Sequence, residues 1–149
     1  MSHTYSSVRI HVIFSTKERE NSIPQETRPK LWAYMARIAR NHGFEAIQVG
    51  GTGNHAHAPL LLPATSPLAK AVQLLKGSSS KWINDTSGRK DFAWQEGYGA
   101  FSVSASQTPV VIEYIRNQEH HHQKRDYEAE FLNLLKRYGV SYDMAYVFG

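Results

Sequence analysis

The sequence predicts an α+β domain in which helices cover one face of a largely antiparallel sheet, with further helices at the C-terminal end. Three observations predict it. Segments rich in β-branched and aromatic residues alternate with segments whose apolar residues recur at helical spacing. Two extended segments are joined by Gly50-Gly51-Thr52-Gly53, which is too short for a crossover and so makes an antiparallel hairpin. The last part of the chain carries helical patterns and little strand pattern. At 149 residues and 41% hydrophobic, residues 1–149 read as one domain with a sizeable core.

Each element follows in order. Residues 8–14 (Val-Arg-Ile-His-Val-Ile-Phe) form a first strand, ending in a polar loop at 15–22. Pro24 precedes a helix over 25–42, with Leu31, Met35, Ile38 and Ala39 as its apolar stripe and Gly43 as its stop. Residues 44–49 are a second strand, 50–53 the turn, and a third strand starts near His55. After the break at 63–67, Leu68, Ala71, Val72 and Leu75 mark a second helix. Gly77-Ser78-Ser79-Ser80 reads as a break, with 81–83 resuming the helix and 84–91 a loop. Residues 92–94 and 98–104 are further strands. Thr108 then Pro109 reads as N-cap and first helical residue of a helix running to about His121. A last helix covers 127–138, with Phe131, Leu134 and Leu135 inward, and the aromatic tail 140–149 packs on the body. The β-α-β-β-α-β core is the split-βαβ, ferredoxin-like pattern.

Composition narrows the function. There is no cysteine, which excludes disulfides and thiolate-ligated metals and suits an intracellular location. No run approaches the roughly 18 apolar residues of a membrane span, and the first residues lack a signal-peptide core. The expectation is a cytoplasmic protein with no membrane partner. Lys plus Arg is 17 against 13 acidic residues, giving +4, which is compatible with a nucleic-acid partner. The basic residues are scattered, so any binding face must be assembled by the fold. Lys17, Lys76, Lys81 and Arg116 are the candidates for phosphate contact.

Two short stretches carry chemistry. In Gly-Asn-His-Ala-His-Ala (53–58), His55 and His57 are two apart, so on a strand they share a face. In Tyr-Ile-Arg-Asn-Gln (114–118), Tyr114 and Gln118 are four apart, so on a helix they share a face. Two imidazoles and an amide oxygen make a neutral N/N/O set for a divalent ion, with positions left open for a phosphate. Mg2+ or Mn2+ suits that task, though imidazoles also suit Zn2+ and Ni2+. Tyrosine is a competent nucleophile toward phosphate once activated, its ordinary pKa being near 10. Bland readings compete. Eight histidines make a chance His-x-His pair common, and Tyr114 taken singly is a packing residue. His120-His121-His122 reads as a solvated helix end, and Trp32, Trp82 and Trp94 as packing residues rather than base-stacking platforms.

The combination resembles the single-tyrosine HUH transposases, the insertion-sequence 200-like family that includes the REP-associated tyrosine transposases. The matching blocks are 11–17 (HVIFSTK), 50–57 (GGTGNHAH), 74–82 (LLKGSSSKW), 94–104 (WQEGYGAFSVS) and 114–121 (YIRNQEHH), in family order. The resemblance implies His55 and His57 as metal ligands, Gln118 as the third and Tyr114 as nucleophile. It implies cleavage and rejoining of single-stranded DNA, often beside a hairpin, through a 5′-phosphotyrosine, by a homodimer in a prokaryotic cytoplasm. Two positions depart from the pattern. Asn54 stands where the family usually has Asp, and Pro59 lies in what should be an apolar strand, which predicts an edge, a bulge or a distortion there. These departures support an alternative: an impaired or domesticated relative that only binds DNA hairpins. A third reading is a metal-dependent hydrolase that uses the histidines without Tyr114.

Overall fold

The computed structural model describes residues 3–121 and 126–148. His122, within the histidine run, and Gly149, at the end of the tail, lie outside them. Among the described residues, five strands form one antiparallel sheet: β1 (Val8–Ser15), β2 (Glu45–Ala46), β3 (Gly50–Gly51), β4 (His55–Leu62) and β5 (Gly99–Ser102). The order is β2-β4-β1-β5, with β3 also paired to β4. Since β1 holds the other side of β4, β2 and β3 act as one interrupted strand, and the sheet has the split-βαβ order. The helices are α1 (Arg28–Asn41), α2 (Leu68–Ser87), α3 (Thr108–Arg116), α4 (Gln118–His121) and α5 (Tyr127–Arg137).

Alternation along β1 and β4 divides the sheet into two faces. Val12, Phe14, Ala56, Ala58, Leu60 and Leu62 point to one face and pack on Leu31, Met35 and Ala39 of α1 and Ala71, Val72, Leu75 and Ile83 of α2. Register sets Phe14 opposite Ala56 and Val12 opposite Ala58, so each small residue of β4 sits beside a bulkier one of β1. The other face carries Ile13 and Phe101, covered by Tyr127, Phe131, Leu134 and Leu135 of α5. Thus α1 and α2 cover one face, and the C-terminal helices close the second. From the tail, Phe148 reaches Phe131, with ring centroids 6.2 Å apart, and the Arg19 guanidinium lies 5.0 Å over the Phe148 ring.

Several boundaries differ from the sequence expectation, each for a local reason. The strand at 44–49 shrinks to two residues, and Gly50-Gly51, read as a turn, pairs with His57 and Ala56 instead. Gly77 to Ser80 does not break α2. Ser80 Oγ donates to Gly77 O within the helix, and Ser79 Oγ accepts from Trp94 Nε1 at 2.8 Å, so both hydroxyls are satisfied without leaving helical geometry. The helix ends only at Gly88, whose φ of 68° is left-handed. The strand at 92–94 is a single bridge from Trp94 to Thr16. Thr108 is the first residue of α3 rather than its cap, and its Oγ1 donates to Ser104 O. The helix expected to reach His121 breaks at Asn117, whose side chain donates to Glu113 O and ends α3.

Pro59 is neither at an edge nor in a bulge. It pairs with His11 inside an uninterrupted β1–β4 ladder. A strand residue directs its N–H and C=O to the same side. Pro59 O accepts from Ile47 N at 2.8 Å, so its nitrogen faces the interruption between β2 and β3. The missing donor therefore falls where the neighbouring strand is itself absent.

Candidate active site

His55 and His57 occupy the α5 side of β4, one residue out of step with Ala56 and Ala58. Both are fully buried. The end of α3 reaches them because β3 is glycine there: a Cβ on Gly50 would lie 2.6 Å from Ile115 Cγ2. Gln118 and Tyr114 then descend onto the histidines, Gln118 from the first residue of α4 and Tyr114 from α3. The helix break at Asn117 does not separate them.

The contacts form a closed set. His55 Nε2 lies 2.9 Å from Gln118 Oε1 and 3.4 Å from Glu130 Oε1. His57 Nε2 lies 3.1 Å from the same Glu130 oxygen. The other carboxylate oxygen accepts from Gln118 Nε2 at 3.2 Å and from the Tyr114 hydroxyl through a short hydrogen bond. Tyr114 also meets His57 edge-on, with ring centroids 5.8 Å apart. Glu130 is buried and comes from α5. Sequence reasoning missed it, yet a signal was present. Tyr127, Glu130, Phe131 and Leu134 follow helical core spacing, and a carboxylate on such a stripe is rare unless it has partners.

Asn54 also finds a role. Its Oδ1 lies 2.9 Å from His55 Nδ1 and accepts a hydrogen bond there, with Thr52 Oγ1 3.0 Å from the same nitrogen. An amide oxygen thus orients the ring where a carboxylate was expected. His11 was missed as well. Its Nε2 lies 2.8 Å from His57 Nδ1, and the rings stack at 5.0 Å. Burial, reinforced by His57 and partly opposed by Glu130, lowers the His11 pKa from 6.5 to about 3, so the ring is neutral.

Two tyrosines approach the histidines. Tyr127 packs on His55 at 5.0 Å, donates to Gln95 Oε1, and is sealed in the core. Burial pushes its phenol far above the ordinary range. Tyr114 is only half-buried and borders a cavity of about 170 Å³, which is also lined by His11, Val110, Glu130, Asn133 and Arg137. Only Tyr114 of the two can meet an incoming phosphate.

The donor set fits a divalent ion. Ligand atoms of His55, His57 and Glu130 lie within 4.8 Å of one another. Atoms about 2.1 Å from a common centre at right angles are about 3.0 Å apart, close to the spacings above. A neutral His55 that donates to Asn54 presents a lone pair to Gln118 Oε1, itself an acceptor. A cation between them resolves that conflict, as would a second proton on the ring. The geometry adds a carboxylate to the expected set, which held no anion.

The basic candidates separate. Lys76 uses its three N–H donors on Gln95 O, Glu96 O and Gly97 O, so it anchors that loop and has no donor left for phosphate. Lys81 pairs with Asp85 at 2.7 Å on the surface. Lys17 is exposed beside Trp94 and Gln95, and Arg116 borders a groove shared with Arg28, Gly50 and Gln118.

Comparison with known proteins decides the family. Residues 4–118 match the family model described as Transposase IS200 like. The chain belongs to the IS200-like transposase family. The matched span ends at Gln118, so Glu130 lies beyond the part of this transposase that the family model covers. Two solved structures share the fold. One is a protein of Deinococcus radiodurans R1 assigned as a transposase, 21% identical, TM-score 0.63, covering 79% of this chain and 95% of the other. The second is a REP-associated tyrosine transposase bound to a REP hairpin, 16% identical, TM-score 0.58, covering 82% and 73%. No curated protein sequence matches the chain significantly. Among the described residues, no helix is long and apolar enough to cross a membrane.

Proposed function

We propose that residues 1–149 act as one transposase domain that cleaves and rejoins single-stranded DNA through a 5′-phosphotyrosine on Tyr114. The observation that carries this reading is the convergence of His55, His57, Gln118, Glu130 and the Tyr114 hydroxyl within one chain. His55, His57, Gln118 and Glu130 would hold Mg2+ or Mn2+. When bound, the ion supplies Lewis acidity for a phosphoryl oxygen and for the leaving oxygen. Glu130 orients the phenol and accepts its proton. The Tyr114 oxygen bonds to phosphorus, the bond to the 3′ oxygen of the neighbouring nucleotide breaks, and that oxygen takes a proton from solvent to leave as a free 3′ hydroxyl. Bond energy is conserved in the phosphotyrosine, so rejoining needs no ATP.

Lys17, Lys81 and Arg116 are proposed to guide the strand, Arg116 from beside Gln118. A hairpin-containing substrate accords with the REP hairpin held by the second structural relative. A location in the cytoplasm of a prokaryotic cell belongs to the same proposal. A homodimer is also proposed, since Val140, Tyr142 and Met144 expose apolar surface that a second copy would cover. The motives for an impaired relative weaken, because Asn54 holds His55 and Pro59 costs no ladder bond.

The test is denaturing electrophoresis of protein mixed with a hairpin-flanked single-stranded oligonucleotide and Mn2+ or Mg2+. Wild type forms a covalent adduct and Tyr114→Phe forms none. Salt-sensitive binding without any adduct would favour the hairpin-binding alternative. Cleavage with free ends that survives Tyr114→Phe would favour a hydrolase.

A further inference from the structure

His57 has two ring nitrogens, and each faces a group able to take a proton. Nε2 points at Glu130 at 3.1 Å, and Nδ1 points at His11 Nε2 at 2.8 Å. A neutral imidazole carries one proton, and the partner at one nitrogen decides where it sits. We propose that His11 is a positioning residue for His57, switching between donor and acceptor as a metal ion arrives. This rests on the metal reading of the preceding section.

Without an ion, His57 Nε2–H donates to the Glu130 carboxylate, so Nδ1 must accept, and His11 Nε2–H supplies the bond. With an ion on Nε2, the His57 proton sits on Nδ1 and is donated to His11 Nε2, and His11 carries its own proton on Nδ1. Protons balance: one leaves His57 Nε2, one passes from His11 to His57, and one is taken up at His11 Nδ1. The cavity beside Tyr114 reaches the His11 ring, which gives that exchange a route to solvent. The stacked pair, with its ring nitrogens 2.8 Å apart, accommodates either arrangement without movement of the rings. A carboxylate or carbonyl in the place of His11 could only accept. It would favour the metal-ready tautomer but would leave two acceptors facing one ring whenever the ion departs. An imidazole satisfies both states, so the site keeps its shape through loading and unloading.

Two measurements test this. Long-range proton–nitrogen NMR of the wild type reads both tautomers directly, with Zn2+ as a diamagnetic probe. We expect His57 protonated on Nε2 without metal and on Nδ1 with it, and His11 changing from Nε2–H to Nδ1–H. Unchanged tautomers on zinc loading overturn the proposal, and this arm needs no variant to fold. Electron paramagnetic resonance titration with Mn2+ then compares variants of matched thermal stability. His11→Phe keeps a ring but no nitrogen and should lose about 10–100-fold in Mn2+ affinity. His11→Gln, which both donates and accepts, should recover most of that loss. Wild-type affinity in His11→Phe sinks the role of His11 and leaves the metal site standing. A wild type that takes up neither ion removes the metal reading and this inference together.

Discussion

On one face of β1 and β4, Val12, Phe14, Ala56, Ala58 and Leu60 meet the apolar stripes of α1 and α2. One residue along, on the other face, His55 and His57 meet Gln118 and Glu130, and His11 meets His57. The same strands build both, and both are buried. The apolar face needs only volume and shape. On the polar face each buried nitrogen and oxygen needs a named partner, because an unpaired one costs several kcal/mol. The difference explains how a strand can be rigid and reactive at once. Packing on one side fixes the backbone, and the histidines on the other inherit that rigidity. Tyr114, at the margin of the polar cluster, meets the cavity together with His11 and Glu130.

The division between faces can be broken or sharpened by substitution. On metal binding, the largest effect should come from Glu130→Gln. It keeps an acceptor near the Tyr114 hydroxyl and removes the charge, so Mn2+ affinity should fall by at least about tenfold. Calorimetric titration reads this, and unchanged affinity would remove the carboxylate from the ligand set. Leu60→Ala on the apolar face should cost about 2–5 kcal/mol in urea unfolding. The folded fraction should bind Mn2+ as wild type does; a parallel loss of affinity would mean the faces are not separable. Tyr127→Phe should change least. It removes one buried hydrogen bond, costing about 1 kcal/mol, and the covalent adduct should persist. Its clearest signature is alkaline. The folded phenol titrates above the unfolded value of 10, so its stability contribution is complete below pH 10 and is lost as pH rises beyond it. Wild-type stability should therefore decline above pH 10 with a contribution of about 1.4 kcal/mol per pH unit from this group, and Tyr127→Phe should lack that contribution. An identical alkaline profile in the variant would place the titrating group elsewhere.

Sequence alone reached those features that repeat at short range. Alternation in residues 8–14 set the two faces, the spacing of His55 and His57 placed both on one of them, and helical spacing in 25–42 and 127–138 set the helix stripes. Tyr114 and Gln118 were legible for the same reason, and the helix break between them changed nothing about where they point. Short-range rules erred where a side chain had a distant partner. The serines at 78–80 looked like a helix break until Trp94 met Ser79, and Gly50-Gly51 looked like a turn until β4 paired with it. Lys76 looked like a free cation, yet the loop carbonyls at 95–97 claim it.

Tertiary structure decided the rest of the site. His11 enters through strand pairing, and Glu130 enters through α5 laid across the sheet. Neither has a local pattern tying it to the His-x-His pair, because hydrogen bonds between side chains far apart in sequence leave no periodic trace. What sequence did record was a misplaced polarity: a glutamate on the core stripe of α5 and a histidine within an apolar strand. Burial makes such residues costly unless they are paired. Composition could mark them as needing partners, and only the folded chain could say which partners they found.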